Sequence, residues 1–146
     1  MRMATVVLVE RDREMRRLYG TWLTYRQHAV LDCPGIGDRK DGRLRCLLLA
    51  GLPCPSCRQA DVIVYDPRPR EEPDEQEDVK VIRAIRQRYP GTLVLIAGGD
   101  EWMPEPLRRL KVEDTGIRSA SSNPPDLSAQ VSGLEGREDT DCPAFE

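Results

Sequence analysis

Residues 7–14 read VLVERDRE: an aliphatic run that ends at Glu10, then Arg11 and Asp12 where the pattern turns helical. The run from Thr5 to Val9 is continuous rather than alternating, as a strand buried on both faces of a parallel sheet must be. Just beyond it Asp12 is placed to cap a helix, in which Met15, Leu18, Tyr19, Trp22 and Leu23 recur at i, i+3, i+4, i+7 and i+8. Arg13, Arg16 and Arg17 lie on the opposite side. A strand passing straight into an amphipathic helix is the opening of a βαβ unit. Two acids at that junction suit a divalent cation, and the arginine between them does not.

The same alternation continues along the chain. Val62–Tyr65 and Thr92–Ala97 read as buried strands, and His28–Cys33 as a weaker one. Asp78 is placed to cap a helix carrying Val79, Ile82, Ile85 and Tyr89, which Pro90 and Gly91 stop. Leu44–Leu52 predicts a leucine-rich helix ended by Gly51 and Pro53, Pro104–Lys111 a short helix, Ile117–Ala120 an edge strand and Asp126–Leu134 a closing helix. The pattern predicts an α/β domain over residues 1–134: a doubly wound, five-stranded parallel sheet with helices on both faces. Pro34–Arg43 reads as a loop, 67–77 (PRPREEPDEQE) as a mobile acidic loop and 135–146 as a disordered tail. Sites in such sheets form beyond the strand carboxyl ends, which points to Glu10–Asp12, Asp66, Ala97–Gly99 and Ser121–Pro124.

Composition narrows the function classes. With 22 Lys+Arg against 25 Asp+Glu the 146-residue chain carries a formal charge of −3, so it has no basic field with which to hold nucleic acid. Ala4–Val9 is too short for a signal peptide and no run approaches a membrane span, so a cytoplasmic protein is expected. Five cysteines form an odd set, which favours thiols or metal ligands over a disulfide framework.

Four stretches together resemble the receiver domain of bacterial two-component response regulators, over roughly Met3 to Leu134: VERD after the first strand, DVIVYD ending in Asp66, VLIAGG after the fourth strand, and NPPDL before the closing helix. The resemblance implies a flavodoxin-like fold with strand order 2-1-3-4-5. It also implies that an aspartate ending the third strand accepts a phosphoryl group, beside a magnesium ion held by it and by acids after the first strand. Asp66 matches the acceptor and Glu10 one of those acids. Three positions depart: Arg11 stands for the second acid, Ile96 for a Thr or Ser ending the fourth strand, and Asn123 for a Lys before a proline.

Magnesium needs hard oxygen ligands, and phosphoryl transfer depends on that ion and on donors to the phosphoryl oxygens. Arg11, Ile96 and Asn123 supply none of the missing parts. Glu10, Arg11, Asp12, Asp66, Ile96 and Asn123 are therefore expected to form a vestigial pocket without magnesium. Arg11 either pairs with Asp66 or Glu10 as a fixed internal cation or points to solvent beside Arg13. The expected function is a stand-alone pseudo-receiver: no enzyme, no cofactor, and a protein partner in bacterial signalling or transcription control. One alternative is a genuine response regulator phosphorylated on Asp66, and another is a Cys-based zinc or redox module on the same fold.

The second alternative rests on Cys54-Pro-Ser-Cys57, a C-x-x-C to which Cys33 and Cys46 can be added as zinc ligands, with His28 able to replace one. Against it, no second C-x-x-C is present, and Cys46 and Cys33 also suit a helix core and a strand. His28 lies in no recognisable hydrolase motif, and Gly98-Gly99 lacks the Lys-Ser/Thr of a phosphate loop, so it reads as a turn. Trp102 and Met103 with the helix after them are the expected protein-contact surface, and self-association into a homodimer remains open. The arginine run of the first helix is what the exposed side of an amphipathic helix shows.

Overall fold

The computed structural model describes residues 3–10, 12–33, 46–48, 50–67, 75–98 and 103–141, of which 75–77 and 135–141 by backbone only. Strands and helices alternate throughout: β1 (Thr5–Val9), α1 (Arg13–Tyr25), β2 (Ala29–Cys33), α2 (Pro55–Gln59), β3 (Val62–Tyr65), α3 (Glu75–Arg88), β4 (Leu93–Ala97), α4 (Glu105–Glu113), β5 (Ile117–Ala120) and α5 (Pro124–Asp141). The strands form one sheet in the order β2-β1-β3-β4-β5. Every neighbouring pair is parallel, as expected from the sequence.

Strand side chains alternate between the two faces, which divides the core in two. Val7, Val9, Ile63, Tyr65, Val94 and Ile96 pack under α2, α3 and α4, against Cys57, Ile82, Ile85, Leu107 and Leu110. Val6, Leu8, Val64, Leu95 and Ala97 pack under α1 and α5, against Tyr19, Leu23, Leu127 and Val131. Burying each large aliphatic side chain contributes about 1.5–3 kcal/mol relative to exposure, which is why the central strands can be apolar on both faces. The edge strands β2 and β5 are only partly covered and carry the polar Asp32, Arg118 and Ser119. The α1–α5 layer is also pinned by polar contacts: the Tyr19 hydroxyl donates to the Ser122 carbonyl at 2.9 Å and Arg26 Nε to Ser128 Oγ at 3.1 Å.

Several boundaries differ from the sequence reading. The described part of 44–52 is a turn rather than a helix, with Gly51 at φ 81° and its N–H donating to Leu48 O. Helical structure starts only after Pro53, where Cys54 caps α2 and Pro55 takes the first position, a place that needs no N–H. Asp78 does not cap α3, because the helix begins at Glu75; its carboxylate instead accepts from the Tyr65 hydroxyl at 2.5 Å. α5 runs on to Asp141, so 135–141 is helix where a disordered tail is expected: no proline interrupts the chain between Pro125 and Pro143. Leu18 is 40 % exposed, so the apolar stripe of α1 is narrower than its spacing suggests. The Pro34–Arg43 loop, most of the acidic loop and residues 142–146 lie outside the described residues. Among the described residues no helix is long and apolar enough to cross a membrane.

Candidate functional site

Glu10 leaves β1 and Asp66 leaves β3 side by side at the carboxyl edge of the sheet. The Asp66 amide donates to Val9 O at 3.1 Å and the Glu10 amide to Cys33 O at 3.0 Å, so both residues extend the ladder by one step. They are 2 % and 5 % exposed, Glu10 the lower. Since Tyr65 pairs with Ile96 in the β3–β4 register, the next level sets Asp66 beside Ala97, and Ala97 pairs in turn with Ala120. One row across the sheet edge therefore reads Glu10, Asp66, Ala97, Ala120. By the alternation of strand side chains all four share the α1/α5 face.

The acids of the β1–α1 junction are engaged by local structure. Glu10 Oε2 accepts from the Asp12 amide at 3.0 Å, and Arg16 Nη1 donates to Glu10 O at 2.8 Å. Asp12 itself is exposed and its Oδ1 accepts from the amides of Glu14 and Met15 at 2.9 and 3.2 Å. It is the helix cap, as its position in the sequence predicts, and not a pocket ligand. An open cleft of about 640 Å³ lies outside this junction, lined by Asp12, Arg13, Glu14, Arg16, Arg17 and Asp32, three acids against three arginines. A lining so balanced favours neither an anion nor a cation. Arg11 lies outside the described residues.

Two expected pocket residues belong elsewhere. Ile96 is fully buried on the opposite face, among the side chains under α3 and α4. Asn123 is exposed and caps α5: its Oδ1 accepts from the Asp126 amide at 3.2 Å and its carbonyl from the Leu127 amide at 2.8 Å. On the β4 side of Asp66 stands Ala97, which the sequence reading named only as a strand end, and beyond it on β5 stands Ala120, which that reading passed over. Counting alternation back from the buried strand interiors would have found them, because Ala97 has the parity of Leu95 and Asp66 that of Val64. Neither methyl offers a hydroxyl or a charge.

The oxygen donors of the row are thus the two carboxylates of Glu10 and Asp66, one already accepting an amide, with an arginine as the residue that follows Glu10 in sequence. Magnesium demands near-octahedral oxygen coordination, towards which the described residues of this row offer these two carboxylates.

The remaining candidates separate. Met103 is 2 % exposed and packs with Leu107 in the core under α4, so it is not an interface residue; a flexible thioether fills that gap well. Trp102 lies outside the described residues. Gly98 turns the chain out of β4 at φ 122°, a conformation open to glycine, and Gly99 lies outside the described residues. Cys33, Cys46, Cys54 and Cys57 all belong to or pack against the α2/α3/α4 core, and none is in a disulfide. His28 is far from them in the fold: it is buried beneath α5, where its Nε2 stands 3.0 Å from Ser132 Oγ.

The order of strands, the helices on both faces and the acidic row at the carboxyl edge define a flavodoxin-like α/β domain, and within that class the receiver fold. Solved structures with this fold include the CheY-like response regulator receiver domain protein of Methanospirillum hungatei JF-1 (TM-score 0.64, 11 % identity, covering 96 % of this chain and 99 % of that one). Others are the chemotaxis protein CheY4 of Vibrio cholerae (TM-score 0.61, 16 % identity, 90 % and 98 % covered) and a response regulator of Thermotoga maritima (TM-score 0.61, 16 % identity, 91 % and 98 % covered). At such identities the likeness speaks for the fold. No protein-family model matches the sequence, and no curated protein matches it.

Proposed function

We propose that this chain is a receiver-type signalling domain whose phosphorelay chemistry is weakened or lost and which acts by binding another protein in signal transduction or transcription control. The observation that carries the reading is the pair of alanines in the row beside Asp66. Phosphoryl transfer needs stabilisation of charge on the equatorial oxygens by a metal and by positioned donors. Here the acceptor carboxylate remains while the next two residues of the row on its β4 side, Ala97 and Ala120, are inert, and Arg11 follows Glu10 where a second acid would complete a cation site. The domain then has no catalytic work of its own and no need of magnesium. A net charge of −3 agrees with a protein partner rather than nucleic acid, and a cytoplasmic location with the expected company of signalling components. The exposed side of α4, where Val112 is 78 % exposed, is the surface to probe for that partner or for a second copy of the chain.

Incubation with a small-molecule phosphodonor and magnesium, followed by intact mass measurement, tests the proposal. An unchanged mass is expected. The retention of Asp66 at the end of β3 favours one rival, a working phosphoacceptor, and a phosphoryl adduct that disappears in Asp66→Asn would establish it and overturn our reading.

A further inference from the structure

We infer that Cys54 and Cys57 are a redox couple: the turn that opens α2 closes reversibly into a Cys54–Cys57 disulfide, by exchange with a small-molecule or protein disulfide. The two thiols lie three residues apart in Cys54-Pro-Ser-Cys57. They meet in one turn, where the Cys57 amide donates to Cys54 Sγ at 3.5 Å. One N–Cα bond of about 1.5 Å separates that amide from the Cys57 Cα, so rotation about χ1 brings the second sulfur within bridging reach of the first. Among the described residues no three His, Cys, Asp or Glu are placed to hold a metal ion, whereas two thiols in one turn are what a dithiol–disulfide couple needs.

The turn is held in place from outside as well as from within. The Cys54 amide donates to the Tyr89 hydroxyl at 3.1 Å, that hydroxyl donates to Cys54 O at 3.4 Å, and the Arg58 amide donates to the same carbonyl at 2.9 Å. Pro55, with its fixed φ, takes the first helical position. Folding has thus already met the entropy of bringing the two cysteines together. Capping alone does not explain the sulfur at position 54: Ser, Thr, Asp and Asn are the favoured caps, and a thiol is a weak acceptor.

Exposure assigns the order of events. Cys54 is half-buried and Cys57 is 5 % exposed, so Cys54 meets the reagent first. Its thiolate, the proton given to solvent, attacks one sulfur of the disulfide RSSR and expels RS⁻, which takes up a proton. Cys57 then gives its proton to solvent and attacks the Cys54 sulfur, expelling the second RS⁻, which is protonated in turn. The cysteine pair is oxidised by two electrons, RSSR is reduced by two electrons to two RSH, and the two protons given up match the two taken up. Burial first, and the neighbouring Cys54 second, raise the pKa of Cys57, which penalises its thiolate but not the neutral bridge that replaces it. Such a bridge suits the apolar cluster to which Cys57 belongs and against which Cys54 packs.

The test uses the full chain. Reduced protein is equilibrated with mixtures of reduced and oxidised glutathione, quenched with acid, alkylated and digested with trypsin. Cleavage after Arg45 and Arg58 releases the peptide 46–58, which holds Cys46, Cys54 and Cys57. The expected product carries one label, on Cys46, and has lost two hydrogens between Cys54 and Cys57; dithiothreitol restores all three labels. The same titration in urea separates the fold from the sequence motif: the folded chain should need at least about tenfold less oxidised glutathione than the unfolded one, because the fold raises the effective concentration of one thiol at the other. Cys57→Ser should halt at a glutathione adduct on Cys54. Since that variant can fail to fold, Cys54→Ser, which keeps a hydroxyl cap on α2, is the second: its Cys57 should stay reduced. Three labels at every ratio, a bridge to Cys46 or Cys33, a glutathione adduct on Cys57 in Cys54→Ser, or equal oxidation of folded and unfolded chain would overturn the proposal.

Discussion

Asp66 lies level with Ala97, one step beyond the Tyr65–Ile96 pair of β3 and β4. The carboxylate thus keeps its place at the sheet edge while its neighbour has a side chain that neither donates a hydrogen bond nor carries charge. Ala120, paired with Ala97, likewise offers neither a donor nor a charge on the next strand. Both alanines pack with Leu8, Val64 and Leu95 on the same face of the sheet.

If residue 11 is what excludes the cation, restoring an acid there should restore the cation. Arg11→Asp is expected to bind magnesium at least about tenfold more tightly than the natural chain, since it adds an oxygen ligand and removes a positive charge. Adding Ala97→Thr should change magnesium affinity little but increase any phosphodonor adduct. Titration calorimetry reads the first effect and intact mass the second. Equal magnesium binding in Arg11→Asp and the natural chain would show that the arginine is not the obstacle.

The central strands were legible because each is a continuous apolar run between turn signals, and β1, β3 and the polar edge strand β5 have the bounds that the sequence predicts. The order of strands was not written in those runs; it came with the resemblance carried by VERD, DVIVYD, VLIAGG and NPPDL. Site residues on the strand ends were harder. Ile96 and Ala97 differ by one position, and that one position changes the face of the sheet, so a motif match without register chose the residue on the face away from Asp66. Asn123 illustrates a second confusion, since a residue just before a proline at a helix start has a capping role that looks like a site from sequence alone. Met103 shows a third: next to an aromatic in a loop it looked exposed, and burial is settled by α4 folding back over it.

Tyr65 and Asp78 bind α3 to the middle of the sheet through a 2.5 Å hydrogen bond in a buried setting. Tyr65→Phe keeps the ring in the core but removes this donor from a buried carboxylate, and is expected to cost about 2 kcal/mol. Urea denaturation checks it. A midpoint within error of the natural chain would mean that the bond contributes no net stability.

Arg86 grips Asp114 with two parallel hydrogen bonds, Nε to Oδ2 at 2.9 Å and Nη2 to Oδ1 at 3.1 Å, while its Nη1 donates to the carbonyls of Thr92 and Pro90. The clasp joins the end of α3 to the turn before β5. The arginine holds the Asp114 carboxyl below its ordinary range against the opposing effect of burial, with the Gly116 amide assisting. Asp114 is therefore charged in the folded state at pH values where the unfolded chain takes up a proton. Its contribution is present above the unfolded value of 3.8 and is lost as the pH falls through the lower folded value. Arg86→Ala should cost about 2 kcal/mol at neutral pH and flatten the acid limb of the stability curve. Gly116→Ala should act in the same direction, because a methyl there would lie 2.3 Å from the guanidinium carbon. Stability curves for the three proteins, taken by urea unfolding across the acid range, decide whether the two substitutions share this cause.

His28 gives the opposite kind of group, a buried base, and the same downward direction of shift. Its Nδ1 accepts the Ala4 amide at 3.2 Å, which leaves the proton on Nε2, directed at Ser132 Oγ 3.0 Å away. Protonating Nδ1 would replace an acceptor by a donor facing a donor, inside a site that is 3 % exposed. Burial first, and the charge of Arg26 second, hold its pKa below the usual 6.5. Between the folded and unfolded values the unfolded chain binds the extra proton, so the contribution of the neutral ring is complete above 6.5 and declines as the pH falls below it. The urea midpoint should therefore drop between about pH 7.5 and pH 5.5, a window where no other unperturbed side chain titrates. The drop should be nearly absent in His28→Gln, whose lower starting stability is independent of pH there. A drop of equal size in the variant would assign the acid sensitivity to another group and leave His28 as a residue of packing alone.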